Sequence, residues 1–168
     1  MAAGNTYTPI ATYTVPSVQA SYTFNSLGSY TDIILIASAK STAYLDLLLQ
    51  FNGDTTSGLY SYTDLTGDGT SATSHRSTAK NFIALDNNGA VQSANFHICI
   101  AHIMNYSNST TFKTVIARSS NGGAPGGADL ITGLWRNTNA ITSITLSLFT
   151  SADFAVGSTF SLYGILAA

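Results

Sequence analysis

The chain has 168 residues, the length of one domain with a substantial core, and 45% of them are hydrophobic. Only 8% are charged, where an ordinary globular domain carries roughly 25%. Six basic residues and a formal net charge of −2 leave no electrostatic footprint for nucleic acid, which excludes that class of partner.

Ser and Thr supply about a quarter of the chain, with Asn, Gly and Tyr filling much of the remaining polar surface. Thr, Tyr, Ile, Val and Phe favour the pleated, half-buried surface of a strand. A surface this poor in charge is unusual for a free monomer, because charge is what keeps proteins apart in solution, so it points to assembly into something larger. The start, MAAGNTYTPIATYTV, has neither the basic region nor the apolar run of a signal peptide, and no segment approaches a membrane span. The expected location is therefore the cytoplasm in which the chain is made, with no membrane partner.

Along the chain the apolar residues recur with period two, the spacing of strands whose alternate faces see core and solvent. The runs are Thr6 to Val15, Ser21 to Phe24, Thr31 to Ala37, Ala43 to Phe51, Asn81 to Leu85, Phe96 to Met104, Thr111 to Arg118, Leu130 to Arg136, Ala140 to Phe149 and Thr159 to Leu166. In the fourth, Leu45, Leu47, Leu49 and Phe51 share one face. In NFHICIAHIM the same alternation picks out Phe96, Ile98, Ile100 and Met104, with His97, Cys99, Ala101 and Ile103 on the opposite parity. Turn signals separate the runs at Asn52-Gly53, at Asn88-Gly89 and in NGGAPGG from Asn121 to Gly127. No segment has a helical period with a cap and a stop. These features predict an all-β, single-domain antiparallel β-sandwich over residues 1–168, jelly-roll-like, with about ten strands, little helix, and neighbouring first and last strands. Residues 1–10, through Pro9 and Ile10, are free to extend as an N-terminal docking arm.

The most chemical-looking stretch is SYTDLTGDGTSATSHR, Ser61 to Arg76. Against a calcium-loop pattern it matches at Asp64, Asp68 and Gly69, but His75 stands where the bidentate carboxylate belongs. Ser74 beside His75 lacks a nucleophile elbow, and adjacency in sequence supplies no triad geometry. The stretch therefore reads as a polar loop, with Asp64, Asp68, His75 and Arg76 as charges at a loop tip or subunit boundary.

His97, Cys99 and His102 have metal-like spacing, but strand parity sends His102 to the other face, so the three cannot close around one zinc ion. Cys99, the only cysteine, leaves no partner for an intrachain disulfide and reads as a buried, inert thiol. The acids are all aspartates, and none sits in an apolar setting that marks it for a raised pKa, which weakens a glycosidase reading. The Gly-rich run lacks the Lys-Ser/Thr and helix of a phosphate loop. Trp135 in GLWRNT reads as a core or subunit-contact residue before it reads as a sugar platform, with Arg136 beside it. No cofactor, metal or catalytic group emerges.

The segments YTPIATYTV, SYTFNSLGSYTDIILIAS, FNGDTTSGLYSYTDLTGDG, GLWRNTNAITSITLSL and GSTFSLYGI, spread from Tyr7 to Ile165, resemble a group of small virion proteins of tailed bacteriophages. The resemblance implies a β-sandwich that self-associates, commonly as a homotrimer, on the outside of the head or in tail appendages, with no catalytic motif to carry over. The single domain favours a head decoration or cement protein that binds the major capsid protein or other virion proteins. On that reading Tyr7, Pro9, Ile10, Asp64, Asp68, His75, Arg76, Trp135 and Arg136 are the expected subunit or capsid contacts. The alternative is a tail-fibre or receptor-binding module in which Tyr60, Tyr62, Asp64, His75 and Trp135 meet a host glycan.

Overall fold

The computed structural model describes residues 6–87, 91, 92, 94–121 and 127–166. Within them are twelve strands: β1 (Thr8–Thr14), β2 (Ser21–Phe24), β3 (Asp32–Ala39), β4 (Leu47–Phe51), β5 (Tyr60–Gly67), β6 (Ala72–Lys80), β7 (Ile83–Ala84), β8 (His97–Met104), β9 (Lys113–Asn121), β10 (Gly127–Trp135), β11 (Ile144–Leu148) and β12 (Thr159–Ile165). The helical content of these residues is one 3₁₀ turn, Phe149–Ser151, and none of their helices is long and apolar enough to cross a membrane.

Two antiparallel sheets face each other. Eight strands run in the order β1-β12-β3-β8-β9-β10-β5-β6, and four in the order β2-β11-β4-β7. The first and last strands are neighbours, as expected, with Thr12 opposite Ser161. Between the sheets lie Leu35, Leu47, Leu49, Phe51, Ala101, Val115, Ile131, Ile144, Leu146 and Phe160, all fully shielded from water. Alternation brings them there: β11 reads buried, half-buried, buried along ITLSL, and β12 does the same along TFSLYGI.

Aromatic side chains gather at three places, one of them Tyr62, Phe82 and Phe149. Phe51, Tyr60 and Trp135 pack together, with the Tyr60 and Trp135 rings stacked at 6.1 Å, and Tyr22 meets Phe24 edge-on while Phe154 meets Phe160. Asn52-Gly53 forms the turn its sequence calls for, both residues having positive φ (54° and 63°). Asn88-Gly89 lies outside the described residues, as does Gly122 to Gly126 of the Gly-rich run.

Three expectations change. The stretch Ser61 to Arg76 is a hairpin of β5 and β6 around a turn at Asp68–Ser71, not a loop, and these two strands raise the count from about ten to twelve. In β8 the buried set is His97, Cys99, Ala101 and Ile103, while Phe96 and Ile98 are each 41% exposed, so the bulkier apolar residues mark the outer face. Pro9 and Ile10 belong to β1, paired with β12 across a bulge, so from Thr8 onward the proposed arm is an edge strand. Residues 1–5 lie outside the described residues.

Four strands cannot cover eight. Beneath the small sheet, out to Ile131 and Trp135 of β10 and Tyr60 of β5, the inner face of the large one is apolar; toward the β5–β6 turn it becomes polar with Asp129, Asp64, Thr66 and His75.

Candidate functional site

The polar end of the inner face is a connected network. Asp64 and His75 are direct cross-strand partners, and His75 Nδ1 lies 3.0 Å from Asp64 Oδ1. Asn87, on the segment following β7, donates from Nδ2 to the same carboxylate oxygen at 2.9 Å. Thr66 Oγ1 donates to Asp129 Oδ1 at 2.7 Å, and Ser119 Oγ donates to Asp129 Oδ2 at 3.3 Å. Both aspartates are nearly buried, whereas the His75 side chain is 54% exposed. Each carboxylate thus has several donors, which is what burial of a charge requires.

This arrangement holds a loop against a sheet. No hydroxyl among the described residues bonds to His75, so the imidazole has an acid but no nucleophile. Asp68 sits in the turn and accepts the N–H groups of Thr70 and Ser71 at 2.8 and 2.7 Å, with Gly69 at positive φ. Those backbone donors hold its carboxyl below the ordinary aspartate range. The two calcium-pattern aspartates therefore have separate jobs, and the described residues contain no group of three His, Cys or acidic side chains placed to hold a metal ion.

A second polar feature lies deep in the core. Asp86 follows the buried run Ile83, Ala84 and Leu85, is itself fully buried, and accepts the Leu47 N–H at 3.2 Å. His97 Nε2 lies 3.1 Å from Asp86 Oδ2, off the line of an aligned hydrogen bond, and both its ring nitrogens are shielded from water. Burial, reinforced by Asp46 and Asp129, pushes the Asp86 carboxyl well above the usual carboxylate range. Burial alone lowers His97 to about 4. The expectation that no aspartate occupies an apolar setting fails here; the signal was an aspartate closing an apolar run. Cys99 is buried beside Leu85 O, and burial pushes its thiol up, which keeps it protonated. His102 points outward to Asp32 at 2.9 Å, as parity requires.

The remaining candidate residues separate. Trp135 is fully buried and donates from Nε1 to Asp54 Oδ2 at 2.9 Å, so it serves packing and offers no surface to a partner or a sugar; Tyr60 is buried beside it. Tyr7 is 56% exposed before β1, while Ile10 packs against the core. Arg76 is exposed opposite Thr63, and Arg136 donates from Nη2 to Ser61 Oγ at 2.9 Å.

The outer face of the large sheet was not singled out by sequence. Register aligns Ile36, Ile100, Arg118, Leu130 and Leu65 in one row across five strands. Ile98 and Ile116 stand in the flanking rows. Ile36, Ile98, Ile116, Leu130 and Leu65 are 36–54% exposed. Threonine and serine surround them.

The chain matches no protein-family model and no curated protein.

Proposed function

We propose that this protein is a non-enzymatic structural component that self-associates through the outer face of its large sheet and, as the phage-like segments suggest, decorates the outside of a tailed-phage head. The observation that carries self-association is the exposed aliphatic row. Together with Ile98 and Ile116 beside it, the exposed aliphatic residues of this face leave on the order of 400 Å² in water, half of the roughly 800 Å² per partner of a stable interface. Flanking Ser74, Ser120 and Ala128, exposed on the same face, add to it.

A second copy is the occupant that fits. The edges of the sheet are blunted against strand addition: β1 carries Pro9 and a bulge, and β6 carries His75, Arg76, Lys80 and a bulge with Ala79 at positive φ. Association is thereby directed from edge to face, where two rows of aliphatic side chains interdigitate. Arg118 is the one charge in the row, and its apolar stem lets the guanidinium reach the rim. Desolvating Thr and Ile costs less than desolvating Lys or Glu, which accounts for the low charge.

Bound to a capsid lattice, such an oligomer adds contact area that exists only in the assembled state and stabilises it by mass action. The test is a phage deleted for the gene. Its heads should lose genome at lower temperature than wild-type heads and regain stability when purified protein is added; unchanged thermal release from the deletion phage rules out the cementing role.

A further inference from the structure

One feature of the outer face lies at the margin of the aliphatic row and differs from it in chemistry. Where β9, β10, β5 and β6 run toward Trp135, a hollow of about 440 Å³ is lined by Arg76, Arg136, Ser61, Thr63, Thr132 and Leu134, together with further threonines. Two of the six basic residues of the chain converge here, and no acid lines the hollow although the chain has eight aspartates. Neither arginine forms an ion pair among the described residues. Ser61 holds the Arg136 guanidinium in place, and Arg76 stands across the strand pair from Thr63.

We infer that this hollow binds an acidic saccharide. Two guanidinium forks over one cavity match a carboxylate, which they bind in a bidentate, planar manner that lysine does not reproduce. A ring of Thr and Ser hydroxyls around Leu134 offers donors and acceptors for sugar hydroxyls and an apolar floor for a pyranose face. The volume suits one or two sugar units and exceeds what a bare inorganic anion fills. The lining sits on paired strands, so the site is preformed. It borders the aliphatic row at Thr132 and Leu65 without including its isoleucines, and it requires no choice between head and tail.

The experiment is a titration of isotope-labelled protein with galacturonate, galactose and inorganic phosphate, followed by amide chemical shifts. Galacturonate is expected to bind at millimolar concentration and to move the signals of Thr63, Arg76, Thr132 and Arg136, with galactose weaker by about tenfold or more. Arg76→Gln combined with Arg136→Gln should weaken galacturonate by at least about tenfold while leaving the oligomeric mass and Tm unchanged; Arg76→Lys with Arg136→Lys, which keeps charge but loses the fork, should fall between. Equal binding of galactose, phosphate as tight as galacturonate, or undiminished binding by the Gln variant each overturns the assignment. So does the absence of galacturonate binding. Loss of oligomerisation alone bears on the self-association reading and not on this one.

Discussion

Replacing Asp86 by Asn tests the buried pair and gives a pH profile whose sign follows from its two shifts. In the folded protein His97 is held neutral down to about pH 4 by burial, against an ordinary 6.5, while Asp86 is pushed up and keeps its proton. Taken singly, His97 contributes stability that is complete above pH 6.5 and is lost as pH falls toward 4, because the unfolded chain binds the extra proton in that window. Asp86 has the opposite sign: folded protein binds the proton the unfolded chain has released, so stability falls as pH rises from 3.8 through the raised value.

Above pH 4 the two slopes oppose each other wherever folded Asp86 still holds the proton that the unfolded chain has released. Wild-type stability should therefore rise less with pH than His97 alone would make it. Asp86→Asn removes one titration and keeps an acceptor for the Leu47 N–H. His97 then acts alone, and unfolding free energy should climb by roughly 3 kcal/mol from pH 4 to 6.5, at about 1.4 kcal/mol per pH unit, more steeply than in the wild type. Urea unfolding followed by the fluorescence of Trp135, the one tryptophan and fully buried, reads this directly. A flat profile for Asp86→Asn, or a wild-type profile that rises as steeply as the variant's, refutes the reasoning.

Gly164, inward on β12, lies under the Tyr30 ring, and an added Cβ would fall inside that ring; Gly164→Ala should cost about 2–3 kcal/mol and lower Tm by about 5–10 °C in calorimetry, and an unchanged Tm contradicts the packing. Trp135→Phe removes both the Nε1–H bond to Asp54 and part of a fully buried ring system, so unfolding should become easier by about 2–4 kcal/mol in urea, read by circular dichroism; a change below about 1 kcal/mol means the ring is not the packing anchor described.

Period-two alternation located β2, β11 and the first half of β12 because their inward residues are large and their outward ones are hydroxylic, whereas β3 carries Ile34 and Ile36 outward and reads as a nearly continuous apolar run. The β5–β6 hairpin escaped it for a physical reason. Strand β6 is an edge strand exposed along nearly its whole length, and its inner side meets the Asp64 network, so neither face needs an apolar stripe. In β8 the inner positions are filled by Ala101, Cys99 and His97, since a narrow interior opposite Leu85 and Asp86 admits small or paired groups. The isoleucines on its outer side then dominate the pattern and point to the wrong face. That same inversion is what marks the proposed association surface: apolar residues that no element among the described residues covers. Asp64 and His75 were legible as a polar cluster, but their pairing needed the hairpin register, and Trp135 needed the core around it before it could be separated from the surface residues.

Self-association through the outer face is tested most directly by sedimentation equilibrium of the purified chain beside a variant carrying Ile98→Lys and Leu130→Lys. Both side chains are more than two-fifths exposed, so the substitutions leave the fold intact, which circular dichroism and the Trp135 emission check. Wild-type protein should sediment as an oligomer at micromolar concentration and the variant as a 17.6 kDa monomer with an unchanged spectrum. A monomeric wild-type chain, or an oligomer that the two lysines leave undisturbed, contradicts the claim.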